Sequence, residues 1–276
     1  CQDNSLQLEF YGLNQTSKTY KIGNLTYVYS FSNSSDCNGY GNLSQWAFKV
    51  FDTDGLCLNQ MNTTNTAGQW PGAYIVSLFD KDGMLWAEGY CSNYQGYFLT
   101  QYLHCGGSWE KFLIMFNENF TNGPQLMYKF PDSGNFEIYN RSVYAVTSAP
   151  GNGSSNYTVS VHSNNSYNNQ TIQVQNNGQN GGLERTKVIF HAHQNRTIQF
   201  VKVINATASG NNYVGGARLA DISVNENGYA VSLLTDYSIQ LYNYTTPPVS
   251  AHTTIMMYDH NDSIIWINWA GNQTSN

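Results

Sequence analysis

The chain has 276 residues, and its 41% hydrophobic and 14% aromatic content suffices for the packed core of one large or two ordinary domains. Its net charge of −6, without any basic cluster, excludes the phosphate-neutralising patch that a nucleic-acid-binding protein needs. No apolar run approaches the roughly 20 residues of a membrane helix, so we expect no membrane span and a chain that is mature or a trimmed ectodomain.

The shortage of charge coincides with an excess of N-glycosylation triplets. Only 11% of the residues are charged, against about 25% in a typical soluble domain, so another group must keep the surface soluble. Asn-x-Ser/Thr triplets without proline (sequons) occur sixteen times, whereas random order of this composition gives about six. Because acceptor sites must reach a lumenal or extracellular transferase, we predict a secreted or cell-surface glycoprotein of archaeal, eukaryotic or viral rather than bacterial origin. The predicted sites are Asn14, Asn24, Asn33, Asn42, Asn62, Asn119, Asn140, Asn152, Asn156, Asn164, Asn169, Asn195, Asn205, Asn243, Asn261 and Asn272.

Strand-like alternation of apolar and polar residues runs through almost the whole chain, and no helical apolar stripe of helical length occurs. We therefore predict an all-β fold without substantial helix, formed by two tandem β-sandwich domains that are immunoglobulin-like or jelly-roll-like. The predicted domains are 1–176 and 184–276, with a boundary near 177–183; one elongated sandwich is the alternative. Predicted strands before the boundary are 6–13, 20–31, 45–52, 73–80, 84–91, 97–105, 111–116, 125–130, 136–149, 156–163 and 171–175. Those after it are 186–193, 197–206, 217–224, 229–235, 238–244, 253–258 and 263–270.

The first predicted strand lies at the N-terminus, where Leu6, Leu8 and Phe10 alternate with polar residues. An apolar strand at a chain end either pairs at an edge of its own sheet or is donated to the sheet of a neighbouring molecule. Donation repeated from molecule to molecule gives an open filament. Residues 1–13 precede the first sequon, so this strand can enter a groove without sugar.

The five cysteines lie in the first two fifths of the chain, at positions 1, 37, 57, 91 and 105. In an oxidising compartment four of them form two disulfides, and spacing alone does not select the arrangement. We prefer Cys37–Cys57 and Cys91–Cys105, because each closes a short loop. Cys1 is then lipidated, bonded to another chain or free; alternatively it is bonded within the chain and another cysteine is spare.

A long stretch without sequons separates Asn62 from Asn119. Bare surface lets protein approach protein, so residues 65–118 are a predicted subunit or domain contact. An equally weighted alternative is that this stretch forms the core.

The polar tract at 156–182 has the residue order of ordered strands. Tyr157, Val159 and Val161 alternate with polar residues, as do Ile172 and Val174. Strict alternation is typical of half-buried strands, and we predict that these five side chains point inward.

Three similar stretches, at 50–58, 78–86 and 257–266, place an aromatic–aspartate pair before a turn. Oxygen ligands for calcium are one interpretation, and tight hairpin turns are the other. The turn interpretation is favoured, because the further spaced acidic residues of a calcium loop are missing. The aspartates concerned are Asp52, Asp54, Asp80, Asp82, Asp259 and Asp262.

No sequence motif assembles a nucleophile, a base and a group that orients them, so we predict no enzyme, no catalytic residue and no cofactor. His191 and His193 lie two residues apart on a predicted strand and could chelate zinc or copper if His252 or His260 gave a third ligand. We favour an exposed pair opposite buried Phe190 and Ala192, and predict no metal site.

These observations favour a secreted, densely N-glycosylated structural protein of the cell exterior. We expect it to assemble with itself into a filament or surface layer, with itself or other surface glycoproteins as partners. A receptor- or glycan-binding attachment ectodomain, viral or cellular, is the alternative.

Overall fold

The computed structural model contains β-strands and no helix among the residues that it describes, which confirms the predicted all-β class. None of these residues forms a helix long and apolar enough to cross a membrane. The described residues are 18–32, 45–62, 64–65, 73–99, 101–106, 109–116, 124–131, 134–149, 153–163, 166–176, 186–205, 207–209, 212–214, 217, 219–235, 240–241, 244–245 and 252–271.

The strands of the described residues are numbered in chain order. The first thirteen are β1 (Lys18–Ile22), β2 (Leu25–Ser32), β3 (Gln45–Phe51), β4 (Cys57–Asn62), β5 (Thr64–Asn65), β6 (Ala73–Lys81), β7 (Met84–Cys91), β8 (Gln95–Phe98), β9 (Gln101–His104), β10 (Glu110–Phe116), β11 (Pro124–Pro131), β12 (Gly134–Tyr139) and β13 (Ser142–Ser148). The others are β14 (Gly153–Ser163), β15 (Ser166–Asn176), β16 (Lys187–Ala192), β17 (Ile198–Ile204), β18 (Thr207–Ser209), β19 (Asn212–Val214), β20 (Leu219–Asn225), β21 (Gly228–Thr235), β22 (Gln240–Leu241), β23 (Tyr244–Thr245), β24 (His252–Tyr258) and β25 (Ile264–Gly271).

Four larger sheets and three small ones contain these strands. The larger sheets have the orders β1-β2-β3-β4, β15-β14-β11-β10-β7-β6, β12-β13-β16-β17 and β20-β21-β24-β25. The small sheets are β5-β8-β9, β18-β19 and β22-β23.

Three predicted strands are hairpins instead, because a tight turn interrupts each of them. Predicted strand 20–31 divides into β1 and β2, and 97–105 corresponds to β8 and β9. In 136–149 the turn consists of Asn140 and Arg141, both with positive φ (47° and 59°). Positive φ at both central residues is the geometry that joins two antiparallel strands most tightly.

Contacts group the chain into two compact units, each built from more than one segment. Val146 on β13 lies opposite Ile189 on β16, so strand pairing continues from one side of 177–183 to the other. The limits 1–176 and 184–276 and the tandem sandwich arrangement stay predictions. The first unit is formed by 1–107, 112–127 and 163–165, and the second by 108–111, 128–162 and 166–276.

The core of the first unit is aromatic. Phe48 on β3 stacks on Phe116 on β10 with ring centroids 4.9 Å apart, and Phe98 meets Phe112 edge to face at the same distance. All four rings are fully buried. Large rings in these arrangements stabilise a core beyond their buried area, by about 1 kcal/mol per pair.

The core of the second unit lies between two four-stranded sheets. Val146 and Ile189 of one sheet share a buried cluster with Val231 and Met256 of the other. Their strands, β13, β16, β21 and β24, are the central strands of the two sheets. Central strands bury the residues that alternate inward, which is the pattern seen in β24.

The polar tract forms two eleven-residue strands, β14 and β15, as the alternation predicts. Tyr157, Val159 and Val161 are completely buried, and Val174 is 1% exposed, whereas Ile172 is only half-buried. On the outer face polar side chains bond across the two strands, for example the hydroxyls of Thr158 and Thr171 at 2.9 Å.

The predicted disulfide Cys91–Cys105 is confirmed, with an S–S distance of 2.02 Å. It closes the hairpin region between β7 and the end of β9, where Cys105 N–H also donates to the carbonyl of Tyr94. Cys57 is disulfide-bonded as well. Its predicted partner Cys37, like Cys1, lies outside the described residues.

Candidate functional site: sequon turns and a histidine cluster

Every sequon asparagine whose side chain is described is exposed. These seven side chains are Asn24, Asn140, Asn156, Asn169, Asn195, Asn205 and Asn261. Asn62 ends β4, and its side chain is not described. The other eight predicted sites, which lie outside the described residues, are Asn14, Asn33, Asn42, Asn119, Asn152, Asn164, Asn243 and Asn272. An acceptor must be accessible to its transferase, and the seven described sites meet that requirement.

Four of the exposed sequons lie at hairpin turns. Asn24 follows Gly23 between β1 and β2, and Asn140 has the positive φ of a tight turn between β12 and β13. Asn195 and Asn261 lie in the loops that join β16 to β17 and β24 to β25. Asparagine suits such positions because it tolerates positive φ and its side chain bonds nearby backbone N–H groups. Asparagine is therefore the residue that these turns favour, and it is also the residue that a glycosyltransferase would have to reach there.

Two of the aspartate stretches form the same loop. Asp52 N–H donates to the carbonyl of Leu56 at 3.0 Å, and Asp259 N–H donates to that of Ser263 at 3.0 Å. In each loop the first aspartate accepts two backbone N–H bonds through Oδ1, at 2.8 and 2.9 Å. Their carboxylates thus stabilise turns, which supports the turn interpretation over calcium binding. The third stretch differs, because Asp82 and Gly83 form a two-residue turn.

Asp262 occupies an unusual place in its loop. It is the fourth residue, with φ 64°, and the equivalent position in the other loop is Gly55, with φ 79°. Glycine is the residue that adopts positive φ at the lowest conformational cost. The Asp262 carboxylate accepts hydrogen bonds from Tyr229 Oη–H at 2.7 Å and from His191 Nε2 at 2.8 Å. These two bonds offset the backbone cost of placing aspartate there.

His191 is buried, so the prediction of an exposed histidine pair is wrong for this residue. Only 4% of His191 is exposed, and Phe190 and Ala192 on the opposite face are buried too. The physical reason is that β16 is a central strand with both faces covered, a case that alternation alone does not reveal. His193, just beyond the strand, is half-buried.

Around His191, aromatic and polar side chains of the second unit form what we name the histidine cluster. His193 Nδ1 lies 3.0 Å from Ser142 Oγ, and the rings of His191 and His193 are 4.5 Å apart. Tyr144 stacks on His191, and its hydroxyl lies 3.3 Å from His260 Nδ1. The cluster consists of Ser142, Tyr144, His191, His193, Tyr229, His260 and Asp262.

Burial and hydrogen bonding set the ionisation of the cluster. Burial raises the pKa of Asp262, but hydrogen bonds from His191 and Tyr229 outweigh it and bring that pKa below its ordinary value. Burial lowers the pKa of His193, and the neighbouring His191 adds to the lowering. The pKa of Tyr144 is raised by burial and then by the Asp262 charge. At neutral pH the cluster therefore holds a charged carboxylate beside a neutral His193.

The cluster does not have the arrangement of a catalytic triad. In a triad the carboxylate orients the same imidazole that takes the proton of the nucleophile. Here Asp262 bonds His191, whereas Ser142 contacts His193, so the two pairs are separate. The geometry is that of hydrogen bonds that fix one end of two packed sheets.

Neither of the two candidate third ligands, His252 and His260, forms a metal-binding group with His191 and His193. His252 is buried elsewhere, with Nε2 2.8 Å from Thr235 Oγ1, and His260 bonds Tyr144 and the Asn225 carbonyl. Within the described part of the chain, no group of three potential ligand atoms lying within 4.8 Å of one another includes either histidine.

Three sequons surround the histidine cluster. Asn140 precedes Ser142 by two residues, Asn195 follows His193 by two, and Asn261 is adjacent to Asp262. All three asparagines are exposed. This end of the second unit thus combines a buried polar cluster with three exposed sequon asparagines.

Comparison of the chain with protein-family models, with curated proteins and with solved structures found no match.

Proposed function

We propose that this chain is a secreted, densely N-glycosylated structural protein of the cell exterior that assembles with copies of itself into a filament or surface layer. The observation that carries the proposal is the exposure of all seven sequon asparagines whose side chains are described. This exposure adds to the excess of triplets, which number sixteen where random order of this composition gives about six.

Sugar at these positions would replace the charge that the surface lacks. The outer face of β15 illustrates this, because Asn169, Thr171 and Gln173 are exposed and uncharged. A flat uncharged strand at a sheet edge is a template for unwanted pairing. A glycan on Asn169 would block that approach to β15.

The histidine cluster supports a structural role. Its bonds link the turn regions of two sheets that share a core, and its sequons would cover that end with sugar. A histidine cluster whose side chains bond one another, and which sugar would cover, would make the protein more resistant to unfolding. Such a cluster is less suited to binding and converting a substrate.

The proposed means of assembly is donation of the N-terminal strand. Leu6, Leu8 and Phe10, the predicted assembly residues, lie outside the described residues, so their role rests on alternation and on the absence of sequons before Asn14.

Glycopeptide mapping of protein isolated from its native source tests the proposal. We expect glycan on Asn24, Asn140, Asn195 and Asn261, and none on Asn227, which is equally exposed at a hairpin turn but lacks the triplet. Intact mass close to the bare 30.9 kDa would contradict the proposal.

A further inference from the structure

Protein assembly by strand addition requires an open sheet edge, and the edges of the larger sheets differ in how they are protected. Natural edges avoid pairing through charge, proline, bulges or cover. Three edge strands, β1, β6 and β17, contain lysine, and β12 and β20 lie beside each other, with Asn135 Nδ2 donating to the Ala220 carbonyl at 3.0 Å. Edge strand β15 carries the exposed sequon Asn169.

Among the described edges of the larger sheets, two are uncharged and have no internal sequon, β4 and β25. β4 begins at disulfide-bonded Cys57 and ends at the sequon Asn62, which restricts access from both ends. β25 is longer, with eight residues and no charge, proline or sequon. Its flanking sequons are at Asn261 and Asn272.

The side chains of β25 leave apolar surface uncovered. Trp266 is 46% exposed and Ile265 is 54% exposed. Ile267 packs against the core of the second unit but stays partly exposed. A register shift leaves Ile265 as the extra residue opposite β24, so regular pairing geometry runs from 266 to 271.

The N-terminal segment matches this edge in length and pattern. Regular pairing over 266–271 needs six residues, about 20 Å of extended chain, and residues 6–11 supply six with Leu6, Leu8 and Phe10 on one side. That side would extend the face of β25 that carries Trp266 and Ala270, both of which are exposed. The first sequon, Asn14, comes after the pairing segment.

We propose that the outer edge of β25 between Trp266 and Gly271 accepts residues 6–11 of a second copy of this chain as an added strand. The inference rests on the proposed self-assembly and names its acceptor. Main-chain hydrogen bonds provide the attachment, and the apolar face of β25 selects the alternate side chains.

Complementation between two full-length glycosylated variants tests the pairing. Leu8→Lys removes the donor, and Trp266→Lys removes the acceptor. For each variant alone, the concentration needed for half-maximal assembly should rise about tenfold or more, because each substitution removes a large side chain that the assembled contact would bury. In an equimolar mixture, the intact N-terminal strand of Trp266→Lys should pair with the intact β25 edge of Leu8→Lys. The resulting dimer should not grow, because its remaining strand and its remaining edge both carry a substitution. Sedimentation velocity distinguishes monomer, dimer and polymer.

Two further variants keep the result interpretable. Trp109→Lys alters a tryptophan of similar exposure, 50%, within the sequon-free stretch, and should assemble normally. Ala270→Lys places the charge at an exposed position of β25 without removing a large side chain, and should act like Trp266→Lys. Circular dichroism confirms folding of each variant.

Other outcomes separate this inference from the proposed function. Assembly of either β25 variant at wild-type concentrations would overturn the acceptor assignment while self-assembly stands. Normal assembly of Leu8→Lys alone, or a mixture that stays monomeric, would overturn the donor pairing. Disruption by Trp109→Lys alone would place the contact in 65–118 instead. A wild-type chain that is monomeric at every concentration would contradict the proposed function itself.

Discussion

Asp262→Gly tests whether the two hydrogen bonds to the Asp262 carboxylate stabilise the fold by more than its positive φ costs. Glycine relieves the positive φ at this position, a gain of about 1 kcal/mol. The substitution also leaves two buried donors, Tyr229 Oη–H and His191 Nε2–H, without their acceptor. Each unsatisfied buried group costs about 1–3 kcal/mol, so we expect a net loss of about 1–5 kcal/mol. The sequon at Asn261 is retained, because Asn-Gly-Ser is still a triplet.

Thermal unfolding of the purified protein at pH 7 measures this effect. At about 2–4 °C per kcal/mol, Tm should fall by several degrees. The matched control is Asn93→Gly, which replaces an exposed residue with φ 48° and should leave Tm unchanged or slightly higher. An Asp262→Gly protein as stable as wild type, or stabilised like the control, would refute the assignment of stability to the two hydrogen bonds.

Three further predictions concern other parts of the fold. Burial lowers the pKa of His162 to about 4 from 6.5, so the unfolded chain binds the proton first as pH falls. Stability is therefore fully present above about pH 6.5 and declines towards pH 4, and His162→Gln should flatten this decline in urea titrations. Replacing Cys91 and Cys105 together by alanine should lower stability by about 3 kcal/mol, measured as a lower denaturation midpoint, and an unchanged midpoint would contradict a structural disulfide. Gly89→Ala, whose Cβ would clash with the ring of buried Phe112, should reduce Tm. Gly106→Ala, with open space around its Cβ, should not, and equal effects would contradict the packing.

Alternation predicts much of this fold, because most strands bury one face. The tract 156–182 shows its strength, since asparagine-rich composition suggests a linker but Tyr157, Val159 and Val161 are buried in β14. Its weakness is at short turns: Gly23–Asn24 and Asn140–Arg141 interrupt predicted strands, and Gly-Asn is a hairpin signal that alternation alone does not use. A two-residue turn changes direction without disturbing the apolar pattern on either side.

The histidine cluster was only partly accessible from the sequence. Two histidines two residues apart indicate a shared strand face, but whether that face is covered depends on distant strands. Asp262 carried the missed signal, because it stands where the related loop has Gly55 and so breaks a local preference. A residue that departs from turn preference in this way indicates that its side chain has a role at that position.

Negative-stain microscopy of native material, combined with its intact mass, tests the central claim most directly. We expect ordered filaments or a lattice whose subunits are well above the mass of their deglycosylated polypeptide because of attached glycan. Monodisperse single particles would contradict self-assembly; if glycosylated, they would favour an attachment ectodomain, and if bare they would contradict the account entirely.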